Sequence, residues 1–195
     1  MIKNIDLDKP HTFKVLSALT LEDASEKYMD IWKTLESNKD LCLFDIDGVF
    51  FERLFSIPSL TFRIPNKKLE AAKKIVNMGA RWVFTDRPRI LLSPIRNQLR
   101  NVFGNKDGTE IFDNHLDFNS KIQKYSPIYP IIYNASKRTK HAEDTIIRAC
   151  QNFDRVFYFA SQDLPTHYED LELLERIEKE NPTALVNLTF IDIRR

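Results

Sequence analysis

Asp45 and Asp47 stand two residues apart, directly after the apolar run Leu41-Cys42-Leu43-Phe44 and directly before Gly48. Two carboxylates at the tip of a buried strand can face one crevice, and glycine lets the backbone turn away sharply beside them. Paired carboxylates suit a hard divalent cation such as Mg²⁺, which keeps several waters and takes a phosphate oxygen. A carboxylate can also attack phosphorus, and a second carboxyl can protonate the leaving group. Further polar groups follow other apolar runs. Arg81-Trp82-Val83-Phe84 leads into Thr85, Asp86 and Arg87; Pro130-Ile131-Ile132-Tyr133 leads towards Lys137 and Lys140; Val156-Phe157-Tyr158-Phe159 leads towards Asp163. A threonine hydroxyl and a lysine can hold transferring phosphoryl oxygens and offset their charge.

Each group also has a structural reading. Asp47-Gly48 is a common turn pair. Thr85-Asp86 ahead of Arg87-Pro88 suits a helix cap. Lys137, Arg138 and Lys140 form a basic cluster that suits a solvated face. Asp163 near Pro165 suits a helix start.

The elements that would position these groups alternate along the chain. Helical spacing of Ala24, Tyr28, Ile31 and Leu35 predicts a helix over 21–37, with Thr20 as its N-cap. The run 41–44 predicts a parallel strand covered on both faces. Residues 50–65 hold aromatics, Pro58 and Pro65, and suit a hairpin or flap; Phe50, Phe51, Phe55 and Phe62 either line it over the site or pack on the sheet. Helices are expected at 66–78, 90–103, 140–152 and 166–180, with strands at 81–84, 130–133, 156–159 and 185–191. Residues 1–20 are weakly patterned and 105–128 are mixed. Strands alternating with helices imply βαβ crossovers and a parallel five-stranded sheet in an α/β fold. In open parallel sheets, ligands sit at the carboxyl ends of the strands, where these polar groups fall.

The motifs resemble those of the haloacid dehalogenase (HAD) superfamily. Leu43-Phe44-Asp45-Ile46-Asp47-Gly48-Val49 is similar to its first motif, a hydrophobic strand followed by D-x-D-G-[TV]. Trp82-Val83-Phe84-Thr85-Asp86-Arg87 is similar to its second. Lys140 stands 23 residues before Asp163, a spacing similar to that between the family's third-motif lysine and fourth-motif acid. The resemblance covers residues 41–193. It implies a three-layer α/β/α Rossmann-like sandwich and a Mg²⁺-dependent phosphatase that hydrolyses a phosphomonoester through an aspartyl-phosphate. Asp45 would be the nucleophile and a metal ligand, and Asp47 the general acid/base and a ligand. Thr85, Asp86 and Lys140 would bind the phosphoryl group, and Asp163 would complete the metal site. The fourth motif of the family reads G-D with a later acid; here the stretch is Ala160-Ser161-Gln162-Asp163-Leu164-Pro165. Either Asp163 is the ligand, or Ser161 or Gln162 takes the slot and the site loses a charge. Glu169 and Asp170 are candidates for the later acids. The intervals around the second motif leave room for a small flap and no full cap domain.

Residues 1–40 are expected as a helical extension packed on the core, and 41–195 as the HAD-like domain, with a small insertion at 105–128. The charges are 29 basic against 28 acidic, which does not favour a general polyanion binder. Arg87, Arg89, Arg96 and Arg100 form a basic stripe, so a nucleic-acid end is a further candidate substrate beside a phosphorylated small molecule. A catalytically weakened binding or regulatory protein is the competing reading, and a second copy of the chain is a candidate partner. His11, His115, His141 and His167 lack ligand spacing. Cys42 and Cys150 lie in apolar stretches and read as buried free thiols of a reducing compartment. The polar first residues do not resemble a signal peptide, and no apolar run approaches the ~18 residues of a spanning helix. The expected location is therefore cytoplasmic, without a membrane.

Overall fold

The structure, a computed structural model, describes residues 10–36, 39–51, 63–76, 80–85, 98, 111–113, 131–133, 138, 140–161 and 169–194. Its strands are β1 (Lys14–Ala18), β2 (Asp40–Phe44), β3 (Ala80–Phe84), β4 (Ile111–Asp113), β5 (Ile131–Tyr133), β6 (Arg155–Ser161) and β7 (Leu188–Ile193). Its helices are α1 (Leu21–Lys27), α2 (Met29–Trp32), α3 (Asn66–Ile75), α4 (Lys140–Asn152) and α5 (Glu169–Glu180). All the described strands join one sheet in the order β1-β7-β6-β2-β3-β5-β4, and each pairing among them is parallel. The five expected strands form its interior, and β1 and β4 are added at its two edges.

The apolar run of β2 lies at the centre because each of its residues is buried. Its side chains alternate between two cores, as the period of a strand requires. Cys42 and Phe44 join a cluster with Leu21 and Ala24 of α1, Trp32 of α2 and Leu69, Ala72 and Ile75 of α3. Leu41 and Leu43 join a second cluster with Ala142, Ile146 and Ala149 of α4 and Leu171, Leu174 and Ile177 of α5. Helices thus cover both faces, the layering of a Rossmann-like α/β/α sandwich. Its amino end is clamped by charge. Arg155 grips the buried Asp40 with both arms, Nε to Oδ1 at 2.7 Å and Nη2 to Oδ2 at 2.6 Å.

Several local expectations change. The helix expected over 21–37 breaks at Tyr28, whose φ of −112° and ψ of 26° leave the helical region. The Tyr28 hydroxyl instead reaches the Ser17 carbonyl at 2.6 Å, and the Trp32 indole donates to the Ala24 carbonyl at 3.0 Å. Trp32 then lies edge-on to Phe157, so aromatic packing on the sheet overrides helical continuity. The strand expected at 185–191 starts at Leu188. Asn187 caps the end of α4 first, donating to the carbonyls of Cys150 and Phe153 at 2.8 and 2.7 Å. The segment 1–40, expected as helical, also supplies β1, paired along β7. The mixed segment 105–128 supplies β4. The helix expected at 90–103 lies outside the described residues apart from Gln98, which is helical.

Cys42 and Cys150 are buried and free, and burial pushes the Cys150 thiol up to about 12. No helix among the described residues is long and apolar enough to cross a membrane.

Candidate functional site

The strand order marks where a ligand would bind. From β2 the chain goes to β3 on one side, and after β5 it returns to β6 on the other side of β2. The carboxyl ends of β2 and β6 therefore flank a topological switch point, the place where open α/β sheets form a crevice. Asp45 follows β2 directly, and Ser161 ends β6.

The turn after β2 is held tightly. Asp45 continues the ladder, its N–H donating to the Phe159 carbonyl at 2.9 Å. The Ile46 N–H then donates to the Asp45 carboxylate, Oδ1, at 2.8 Å, which fixes one carboxylate oxygen. Phe50 N–H returns to the Ile46 carbonyl at 3.0 Å, and Gly48 N–H donates to the Phe51 carbonyl at 2.8 Å. Ile46, Val49, Phe50 and Phe51 are buried in the α1–α3 core. Apolar anchors thus pin the turn, and its carboxylates are carried on a fixed backbone. Asp45 and Asp47 are 1% and 4% exposed. Gly48 has φ of 81°, the left-handed region that glycine enters without a side-chain penalty.

Two hydroxyl residues flank this turn. Phe44 is level with Phe159 on β6 and with Val83 on β3. Ser161 and Thr85 therefore both lie two residues beyond Phe44's level, one on each side of the Asp45–Asp47 segment. Both are buried. Ser161 presses against the turn: a β-carbon added to Gly48 would lie 2.2 Å from the Ser161 Cβ and 2.7 Å from its Oγ. Among the described residues, the Ser161 Oγ has no hydrogen-bond partner.

Sequence reasoning missed Lys68. This residue of α3 is buried, and its ammonium donates to the Val49 carbonyl at 2.9 Å, tying the helix to the turn. Its signal was periodicity: Lys68 shares the stripe of Ala72 and Ile75 at spacings of i+4 and i+7.

Of the residues expected at the site, Asp45, Asp47 and Thr85 come together at the carboxyl edge around β2. Lys140 opens α4, but its side chain is 64% exposed and its ammonium lies 3.0 Å from both Glu143 and Glu180. Those two hydrogen bonds, Glu143 first, raise its pKa further above the ordinary lysine value. Glu169 pairs with Arg138 at 3.1 Å, and buried Asp170 accepts the Tyr158 hydroxyl; both acids serve the packing of α5. Asp86, Asp163, Lys137 and the arginines 87, 89, 96 and 100 lie outside the described residues, as do Phe55 and Phe62. Phe50 and Phe51 pack in the core.

Among the described residues, no group of three His, Cys, Asp or Glu side chains gathers as a metal cluster. The donors at the turn are nonetheless all oxygen: two carboxylates, the turn carbonyls and the buried Ser161 hydroxyl. That set fits a hard cation that retains water, such as Mg²⁺. The chain has no match among family models, curated proteins or solved structures.

Proposed function

We propose that this protein is a Mg²⁺-dependent phosphomonoesterase of the haloacid dehalogenase type, acting through an aspartyl-phosphate on Asp45. One observation carries the reading. Asp45 and Asp47 stand on a pinned turn at the carboxyl end of the central strand, beside the topological switch point.

The residues have distinct tasks. The Ile46 N–H holds Asp45 Oδ1 and so orients the carboxylate that would attack phosphorus. As the Asp45 O–P bond forms, the ester P–O bond breaks and Asp47 gives its proton to the departing alkoxide. Asp47, now a carboxylate, takes a proton from the water that attacks the acyl-phosphate, releasing phosphate and restoring Asp45. The Thr85 hydroxyl donates to a phosphoryl oxygen, and Asp86 orients the same group. Asp45, the Asp47 carbonyl and Asp163 would hold the Mg²⁺, which supplies positive charge against the phosphoryl oxygens when bound. Lys140 can serve the phosphoryl group only by leaving Glu143 and Glu180.

The test is hydrolysis of an aryl phosphate with and without Mg²⁺. Activity should require Mg²⁺ and vanish in Asp45→Asn; equal rates for that variant and the wild type would overturn the reading. A second reading is a binding or regulatory protein on this fold. It is favoured by neutral Ser161 at the end of β6, where the family pattern places an acid close by. In that case phosphate or a phosphorylated compound binds without turnover.

A further inference from the structure

Ser161 has no packing reason to be a serine. Its side chain is buried and its hydroxyl makes no hydrogen bond among the described residues, so alanine would fill almost the same space without stranding a polar atom. Buried hydroxyls without partners are destabilising and uncommon. This one ends the strand beside β2, at the switch point, in contact with the turn that carries Asp45 and Asp47. Gly48 makes the contact possible, because any side chain there would occupy the space of the Ser161 Cβ and Oγ.

We infer that Ser161 Oγ is a ligand-binding group of the carboxylate site, accepting a hydrogen bond from the hydration water of a Mg²⁺ ion bound by Asp45 and Asp47. This rests on the metal-dependent reading given above. The chemistry chooses water as the partner. A small hard cation keeps several waters when few protein ligands reach it. Each such water is a strong donor, and a neutral hydroxyl accepts from it without adding charge. At the end of β6, Ser161 would then orient the ion's hydration, while the carboxylates neutralise the ion. Such outer contacts tune metal affinity about tenfold or more.

Calorimetric titration of the full chain with MgCl₂ tests this, on wild type, Ser161→Ala, Ser161→Cys and Asp45→Asn. Cysteine keeps the shape but accepts hydrogen bonds poorly, so it decides the matter if the alanine variant fails to fold. Both serine variants should bind Mg²⁺ about tenfold more weakly. Without Mg²⁺, Ser161→Ala should melt at or above the wild type, because the stranded hydroxyl is gone. With Mg²⁺, its gain in Tm should be smaller than the wild type's. If Asp45→Asn loses Mg²⁺ but both serine variants bind it like wild type, the role of Ser161 is overturned and the metal reading stands. If wild type and Asp45→Asn behave alike, the metal reading fails and the role of Ser161 fails with it.

Discussion

Gly48 and Ser161 meet across the switch point with no room for a side chain between them: a β-carbon on Gly48 would stand 2.2 Å from the Cβ of Ser161. The end of β6 and the turn after β2 are therefore one packed unit. Three measurements probe that unit and its supports, and a fourth probes a clasp elsewhere in the fold.

Gly48→Ala should destabilise the fold for two separable reasons. A non-glycine residue at φ of 81° costs roughly 1–2 kcal/mol. Overpacking against Ser161 costs about 1–3 kcal/mol more. Chemical denaturation should show a loss of about 2–5 kcal/mol. Adding Ser161→Gly should recover the packing part and leave the backbone part. A loss below about 1 kcal/mol would contradict both contributions.

Asp47→Asn should slow hydrolysis by about 10²–10⁴-fold, the usual worth of a positioned acid and base. The loss in the first half-reaction should be larger for an alkyl phosphate than for a nitrophenyl phosphate, whose leaving group needs little protonation. Burst kinetics separate the two half-reactions. An equal loss for both leaving groups would remove Asp47 from the acid role.

Lys68→Met should loosen the turn from the side of α3. Methionine keeps the buried stem but strands the Val49 carbonyl, at a cost of about 1–3 kcal/mol. Hydrogen exchange at the amides of Gly48, Phe50 and Phe51 should speed up, since their bonds close the same turn. Unchanged exchange there would show that the ammonium does not hold the turn.

Glu178 carries an acid-sensitive clasp. Burial alone would raise its pKa, but the Thr12 backbone N–H, His11 and the Thr12 hydroxyl together hold it below the ordinary 4.5. His11 Nδ1 lies 3.0 Å away and the Thr12 hydroxyl 2.8 Å. Because the folded pKa is the lower one, the unfolded chain takes up the proton first. The clasp's stability is therefore present above about pH 4.5 and is lost as pH falls through the folded value. Glu178→Gln should be less stable than wild type at pH 7 and lose less stability between about pH 5 and 3. Parallel pH profiles for the two proteins would exclude the linkage.

Much of the fold was legible because its cues are local. Leu41–Phe44 is a run of apolar residues long enough for one buried strand, and Asp45 ends it. The stripe Leu69, Ala72, Ile75 declares α3, and the N-cap Thr20 holds the start of α1 through the Asp23 N–H at 3.1 Å. The edge strands were not legible in the same way. Lys14–Ala18 is mostly half-exposed and Ile111–Asp113 is three residues long, so neither carries a pattern strong enough to declare a strand. They exist because β7 and β5 offer unpaired edges.

The site divides along the same line. By itself the sequence determined that Asp45, Asp47 and Thr85 follow apolar runs, because a strand's end is written in its own residues. Only the tertiary structure decided that β6 returns to the far side of β2, which brings Ser161 against Gly48. It likewise decided that Lys68 turns inward to Val49 and that Lys140 is taken by Glu143 and Glu180. The reason is physical: local pattern dictates which residues form an element, while strand order and pair partners depend on burial between segments distant in the chain. Ser161 and Lys140 stand 113 and 92 residues from Gly48, and no local pattern distinguishes the one that reaches it from the one that turns elsewhere.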